Sequence, residues 1–289
     1  MTYVDEPDKK QKSSKFEKRA NKLLGEFTKT DFQKARSLSN DKQLNKGFGR
    51  IGMCLNGKPV EAIPTDELDK ICFILCNTYT KEDLRLGIGP FNDSYLIALN
   101  FHKQGYKIFY LHNPTSQEFI DYLQFFLKNT QKTLTVYYSV RIVSIPNQDP
   151  RLPNTTSIVF DDGQLPDVDV INMVRDNSNE QCRVIFISDC SCGGSICDMK
   201  NLSKENSRNL TNAISISAHV NPDVAANQKM KIHKLQGLFT YYFCKLMTES
   251  PDISPERLVE RLNPYLERFD ETTETDFSNK EMQSAPIFM

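Results

Sequence analysis

The distribution of apolar residues divides this chain near residue 67. Residues 1–67 are mostly polar and charged, with one stretch of helically spaced apolar residues at 15–38. From residue 68 onward, short continuous apolar runs alternate with segments whose apolar residues recur at helical spacing. We therefore expect a polar, partly helical N-terminal extension over residues 1–67 and one folded domain over residues 68–289.

The pattern after residue 67 predicts alternating strands and helices. Apolar runs of strand length lie at residues 71–76, 106–111, 133–139, 183–188 and 213–218. Helical segments are predicted at residues 92–104, 115–128, 167–175, 237–249 and 255–269. Short apolar strands separated by helices indicate an α/β fold with a mostly parallel central sheet and helices on both faces. In such sheets the chemistry lies beyond the carboxyl ends of the strands.

Residues 47–52 (GFGRIG) match the GxGxxG pattern of nucleotide-binding loops. The context does not fit that function, because such a loop follows a strand and opens a helix. Here a polar segment precedes the glycines, and Asn56-Gly57, a favoured hairpin turn, follows them. We therefore expect a glycine-rich hairpin in this part of the extension.

Composition and charge limit the classes of function. The 36 Lys and Arg residues nearly balance the 37 Asp and Glu residues, so no overall field draws the chain to nucleic acid. No apolar run approaches the ~20 residues of a membrane span, and the polar N-terminus does not resemble a secretory signal. The eight cysteines are scattered, as is typical of reduced thiols. We expect a cytoplasmic protein that binds neither nucleic acid nor membrane.

Three segments near the predicted carboxyl ends of the strands carry specific motifs. They read LGIGPFNDS at residues 86–94, TVYYSVRI at 135–142 and SDCSCGGSICD at 188–198. They resemble, in order, the L-x-G-x-x-N-D-A loop, the F-Y-Y-S-G-H-G loop and the D-S/C-C-H-S-G-S-x-x-D loop of metacaspases, which are caspase-fold cysteine peptidases. Later segments are similar to the family's I-S-A strand, G-x-F-T helix and Q-x-P-x-F tail, at residues 214–218, 237–241 and 283–288.

This resemblance spans residues 68–289 and implies a caspase-like fold, with cleavage after Arg or Lys in active members. The chain departs from the family at the catalytic base, because Arg141 stands where the metacaspase histidine belongs. Arginine cannot accept a proton near neutral pH, so it cannot activate a thiol as imidazole does. Val140 and Ile142 also replace the glycines that flank the family's histidine. The loop is therefore rebuilt rather than changed at one position.

The nucleophile loop aligns with the family in two registers. Matching Cys190 to the catalytic cysteine places Ser188 where the preceding acid belongs. Matching Asp189 to that acid keeps more positions in step, and it places Ser191 at the nucleophile and Cys192 at the following histidine. We favour the second register, in which both members of the catalytic dyad are lost. Because removing a nucleophile or its base costs on the order of a millionfold in turnover, we expect a catalytically inactive pseudopeptidase.

The alternative is a cysteine-type endopeptidase with a rearranged site. Cys190 or Cys192 would serve as its nucleophile, with His112 or His219 as the base, since both histidines follow predicted strands. The competing interpretation is that these histidines are hydrogen-bonded loop residues. A histidine nitrogen within hydrogen-bond reach of either thiol would favour the enzyme.

The substrate-binding positions of the family are matched more closely in this chain than its catalytic positions. The resemblance implies that Asp93, Ser139 and Asp189 line a pocket for a basic side chain. Two carboxylates converging in a cleft would hold a guanidinium or ammonium group through charge-assisted hydrogen bonds. The alternatives are that the acids make helix-cap or loop contacts, or that Arg141 itself fills the pocket.

The resemblance also implies a calcium site and a class of partner. Asp167, Asp169 and Asp198 are the candidate ligands, although calcium takes roughly six to eight oxygen ligands. The expected partners are an active metacaspase relative or basic peptide segments. Since active metacaspases mostly avoid the obligate dimer of true caspases, a monomer is expected.

Overall fold

A computed structural model describes residues 46–66, 68–145, 155–190, 212–220, 237–269 and 271–288. Within them the strands are β1 (Gly52–Cys54), β2 (Lys70–Cys76), β3 (Lys107–His112), β4 (Thr133–Ser139), β5 (Ile142–Ile145), β6 (Thr155–Val159), β7 (Gln164–Pro166), β8 (Arg183–Ser188), β9 (Ala213–Val220) and β10 (Glu271–Phe277). The helices are α1 (Gly89–Lys103), α2 (Ser116–Asn129), α3 (Asp167–Asn177), α4 (Leu238–Glu249), α5 (Pro255–Leu266) and α6 (Glu281–Ser284). Short 3₁₀ turns lie at Val60–Ala62 and Glu267–Phe269.

Within the described residues, seven strands form the main sheet in the order β1-β3-β2-β4-β8-β9-β10. The first six are parallel to their neighbours, and β10 runs antiparallel to β9. A second, antiparallel sheet of β5, β6 and β7 follows β4. The expected α/β class with a mostly parallel sheet is confirmed. The carboxyl ends of β2, β4 and β8 lie side by side in the middle of the sheet.

Two hydrophobic clusters cover the two faces of this sheet. The side chains of β2 alternate between them, so that Cys72 and Ile74 join one cluster while Phe73 and Leu75 join the other. The first cluster is completed by α1, α4 and α5, and the second by α2 and α3. A strand buried on both faces needs apolar residues at every position, which explains the continuous apolar runs of β2 and β8.

The expected hairpin in the N-terminal extension is wrong. Asn56 and Gly57 do form a turn, with Gly57 at φ +68°. The strand before that turn, β1, instead pairs in parallel with β3. A Cβ at Gly52 would lie 2.6 Å from the carbonyl oxygen of Ile108, so only glycine allows this close approach. The main sheet therefore begins upstream of the boundary expected at residue 67.

No helix in the described parts of the chain is both long enough and apolar enough to cross a membrane.

Candidate active site

The carboxyl ends of β2, β4 and β8 bring three loops together. The backbone N–H of Asn77 donates to the carbonyl of Ser139 at 3.1 Å, which joins the loop after β2 to the end of β4. The backbone N–H of Asp189 donates to the carbonyl of Tyr138 at 3.0 Å, which joins the loop after β8 to the same strand. Ser139 and Asp189, two candidates for a binding pocket, therefore lie at the carboxyl ends of neighbouring strands.

Two acids from different loops meet at the N-terminus of α4. Both carboxylate oxygens of Asp93, early in α1, accept the backbone N–H of Gly237, at 2.9 and 3.0 Å. The Oδ2 atom of Asp189 accepts the backbone N–H of Thr240 at 3.1 Å and its hydroxyl at 2.6 Å. Both acids therefore contact the first turn of the same helix, and their role in a binding pocket stays a prediction. Their contacts also fit the helix-cap alternative, because acids at a helix N-terminus stabilise its free N–H groups.

A third acid, Glu271, lies at the same end of the sheet, and the sequence analysis did not single it out. Burial raises the pKa of Asp93 well above its ordinary value, and the charges on Asp189 and Glu271 raise it further, while the Gly237 N–H lowers it. Burial and the charge on Asp189 raise the pKa of Glu271 to about 8. The β-branched threonines of 271–277 were the available signal for a strand, but no motif marked Glu271.

Arg141 lies in a loop that is tied to its surroundings through the backbone. Its N–H donates to the hydroxyl of Tyr79 at 2.6 Å, and its Nε donates to the carbonyl of Leu84 at 2.6 Å. Its own carbonyl accepts the N–H of Val159 at 3.0 Å. Among the described residues no ion pair joins Arg141 to Asp93, so these contacts do not support the alternative in which Arg141 fills the acidic pocket.

The residues that flank Arg141 are part of the hydrophobic core. Val140 and Ile142 are each 2% exposed, and both belong to the cluster that packs under α2 and α3. They replace the glycines of the resembled motif with side chains that the core requires. The loop is therefore an integrated part of the fold.

Cys190 is buried in the same cluster. Its side chain is 3% exposed and packs among the apolar residues of β4 and β8. A reactive cysteine is ordinarily found in a partially exposed, electropositive environment, whereas a buried cysteine in apolar surroundings is inert. The position of Cys190 is that of a structural cysteine.

The fold and this arrangement of loops can be compared with known proteins. The family model for the caspase domain, Peptidase_C14, matches residues 69–286. This chain belongs to the caspase domain family. No curated relative matches the sequence significantly.

Solved structures resemble this caspase domain in fold. Protein GSU0716 from Geobacter sulfurreducens superposes with a TM-score of 0.56 at 15% identity, covering 76% of this chain and 98% of that protein. The Drosophila initiator caspase Dronc gives a TM-score of 0.49 at 13% identity, covering 76% of this chain and 84% of the caspase. The family match establishes the expected caspase-like fold.

His112 and Cys190 lie at the carboxyl ends of strands that are not neighbours in the sheet. His112 ends β3, which is separated from β8 by β2 and β4, so the two strand ends are three strand spacings apart. Three spacings of about 4.8 Å amount to roughly 14 Å. The imidazole instead lies against Thr78, with Nε2 2.9 Å from its hydroxyl oxygen, and against the ring of Phe91 at 4.4 Å.

His219 lies on β9, the strand next to β8, and its backbone pairs with Thr272 of β10. The side chain of His219 lies outside the described part of the molecule. Ser191, Cys192 and Asp198 are also outside it, as is the predicted helix at residues 15–38. The expectations for these residues stay predictions.

The two described calcium candidates lie in the first turn of α3. Asp167 is buried and Asp169 is exposed. Residues two apart on a helix do not face each other, so these carboxylates diverge. Among the described residues no group of three or more His, Cys, Asp or Glu side chains is placed to hold a metal ion. In the first turn of a helix, acidic side chains stabilise the helix by their interaction with its dipole. The calcium site stays a prediction.

Proposed function

We propose that this caspase domain is a metacaspase-like pseudopeptidase, catalytically inactive and acting by binding. The observation that carries the proposal is Arg141 at the position of the catalytic base, hydrogen-bonded through its N–H and Nε to Tyr79 and Leu84. A guanidinium has no proton-accepting nitrogen near neutral pH, so it cannot generate a thiolate. The buried flanking residues hold this loop in place.

The surroundings of the Cys190 thiol support the same proposal. Cys190 is packed in the core, which is unfavourable for attack on a peptide carbonyl. His112 belongs to a strand end roughly 14 Å away. This separation of the strand ends argues against the hydrogen bond between Cys190 and His112 that a nucleophile and its base require.

The partner we propose is a basic peptide segment of another protein. An active metacaspase relative is one protein that could carry such a segment. Asp189 is half-buried whereas Asp93 and Ser139 are buried, so Asp189 is the most accessible of the three. A guanidinium or ammonium group entering beside Asp189 would gain charge-assisted hydrogen bonds in a partly desolvated place. A binding protein needs only this recognition, without a competent nucleophile.

Hydrolysis of Arg- and Lys-terminated fluorogenic peptides tests the proposal, with and without calcium. We expect the full-length protein to show no more turnover than its Cys190→Ala, Ser191→Ala and Cys192→Ala variants. Turnover that one of these substitutions abolishes would identify the nucleophile. That result would overturn the proposal in favour of a cysteine endopeptidase with a rearranged site.

Binding of a fluorescent arginine-containing peptide, followed by anisotropy, tests the second half of the proposal. The matched control is the same peptide with citrulline, which is neutral and nearly isosteric with arginine. We expect the arginine peptide to bind and the citrulline peptide to bind at least about tenfold more weakly, the loss of one charge-assisted hydrogen bond. Equal binding of the two peptides would contradict recognition by the acids.

A further inference from the structure

Glu271 is the first residue of β10 and lies at the same end of the main sheet as Asp189. Its backbone pairs with Val220, the last residue of β9. Glu271 therefore lies at the carboxyl ends of the parallel strands, where the loops of the site begin. The side chain is 3% exposed, and its Oε2 atom is buried without a hydrogen-bond partner among the described residues. Glu271 interacts electrostatically with both Asp93 and Asp189. It is therefore a third carboxylate at this end of the sheet, and its Oε2 atom has no hydrogen-bond donor among the described residues.

An unused buried carboxylate oxygen is costly. Buried polar groups are nearly always hydrogen-bonded, and a buried charge is stable only when it is paired or neutralised. The N–H groups at the start of α4 donate hydrogen bonds to Asp93 and Asp189. No described N–H or O–H group donates to Glu271 Oε2. Either a proton or a cation brought by a ligand would satisfy this oxygen.

We propose that Glu271 is a specificity-determining residue of the pocket, whose carboxylate pairs with the basic side chain of the bound peptide together with Asp189 and Asp93. This inference rests on the proposed function, since it concerns the same site. The three acids come from three separate elements, α1, the end of β8 and β10. They form one binding site only because the fold brings the three elements together.

The charge of this third acid changes within the physiological range. Among the described residues, the charged groups that act on Glu271 are Asp189 after β8 and Asp93 on α1. Tyr137 on β4 and Cys244 on α4 interact electrostatically with those two acids. Because the pKa of Glu271 is raised to about 8, this carboxyl is neutral at pH 6 and charged at pH 9. We therefore expect binding of a cationic side chain to tighten as the pH rises between these values.

Calorimetric titration of the full-length protein with acetyl-arginine amide at pH 6, 7, 8 and 9 tests the inference. The neutral probe is acetyl-citrulline amide, and the variants are Glu271→Gln and, as the matched control, Glu274→Gln, which changes an exposed residue of the same strand. We expect Glu271→Gln to bind the arginine probe about tenfold more weakly than wild type at pH 9. The difference should vanish at pH 6, and Glu274→Gln should follow wild type throughout.

The outcomes separate this inference from the proposed function. If wild type binds the arginine probe and Glu271→Gln binds it equally at pH 9, the role of Glu271 is wrong while the proposed function stands. If wild type binds neither probe, or both equally, at every pH, the recognition of a basic side chain fails and the role of Glu271 fails with it.

Circular dichroism checks that each variant is folded. If Glu271→Gln does not fold, Glu271→Asp decides the question, since it keeps the charge on a side chain shorter by one methylene. Glu271→Asp should bind more weakly than wild type and keep the tightening at higher pH. Binding equal to that of wild type at pH 9 would overturn the inference.

Discussion

The backbone N–H of Gly237 donates to both carboxylate oxygens of Asp93, at 2.9 and 3.0 Å. This contact joins the start of α4 to the buried beginning of α1, across 144 positions of the chain. Gly237 also packs directly against Asp189, whose Oδ2 atom would lie only 2.0 Å from a Cβ at this position. One glycine therefore holds the two acids of the site in place.

Gly237→Ala should destabilise the caspase domain by about 1–3 kcal/mol, the usual cost of forcing an extra methyl group into a packed place. The added Cβ would meet the carboxylate of Asp189, whose Cγ lies 2.7 Å from the methyl position, so that carboxylate must move. Urea unfolding measures the loss. The matched control is Gly163→Ala, because a Cβ at Gly163 meets nothing within 4 Å. Equal stability of the two variants would contradict the close packing at Gly237.

Glu271→Gln should make the stability of the protein less dependent on pH. The folded-state pKa of Glu271, about 8, is above the ordinary value of 4.5, so the folded state holds this proton more tightly than the unfolded state. The stabilisation is fully present below pH 4.5 and is lost as the pH rises through 8. At pH 9 the charged wild-type carboxylate therefore destabilises the fold, and the glutamine variant should be more stable by a few kcal/mol, on the order expected for a shift of this size.

Thermal and urea unfolding of both proteins at pH 5, 7 and 9 checks this expectation. The gap between Glu271→Gln and wild type should widen from pH 5 to pH 9. Glu274→Gln, on the same strand but exposed, should leave the pH dependence of wild type unchanged. A gap that stays constant with pH would contradict the raised pKa.

Sequence analysis identified Asp93 as a candidate site residue but did not identify Glu271, and this difference has a physical reason. The parallel strands were predictable because a strand buried on both faces is apolar throughout, as β2 is. β10 is polar at positions that are nevertheless buried, so it shows no hydrophobic alternation. It becomes a strand by pairing with β9. Asp93 was found through a motif, whereas Glu271 became visible only when β10 was placed beside β9.

The N-terminal glycine segment shows a second limit of the sequence. The local turn at Asn56-Gly57 was predicted and is present, but the partner of the preceding strand was not predictable from local pattern. Parallel pairing of β1 with β3 joins residues far apart along the chain, and the backbone N–H of Leu55 extends the ladder to Tyr110 at 2.9 Å. A turn signal fixes a bend, while tertiary packing decides which strands meet.

Tyr79→Phe should destabilise the protein by about 1–3 kcal/mol, because it removes the acceptor of the Arg141 N–H and one of the two donors to the Val159 carbonyl. The Tyr79 hydroxyl accepts the N–H of Arg141 at 2.6 Å and donates to the carbonyl of Val159 at 3.0 Å. It thereby joins the loop after β2 to the loop of Arg141. Guanidinium chloride unfolding measures the cost, and Tyr265→Phe, a half-buried tyrosine stacked on Tyr242, is the control. A loss no larger than that of the control would contradict the linking role of Tyr79.

Restoring the family's histidine should not restore peptidase activity. Arg141→His supplies an imidazole, but the loop keeps Val140 and Ile142 in the core and Cys190 stays buried. We therefore expect no turnover of Arg-terminated fluorogenic peptides by Arg141→His above the background of Arg141→His/Cys190→Ala. Turnover by the first variant that the second lacks would show that one residue had silenced an otherwise intact dyad.

Replacing the residues that flank Arg141 with the family's glycines should lower the free energy of unfolding, because these side chains are part of the core. Ile142→Gly removes a side chain that is 2% exposed, and deleting such a side chain typically costs about 2–5 kcal/mol, with a further ~1 kcal/mol for the flexibility of glycine. Ile145→Gly is the matched control, since it changes the same residue type in β5 where the side chain is 40% exposed. Urea unfolding should show a clearly larger loss for Ile142→Gly. If the two losses are equal, Ile142 is not a core residue, and the argument that the Arg141 loop has been rebuilt as part of the fold fails with it.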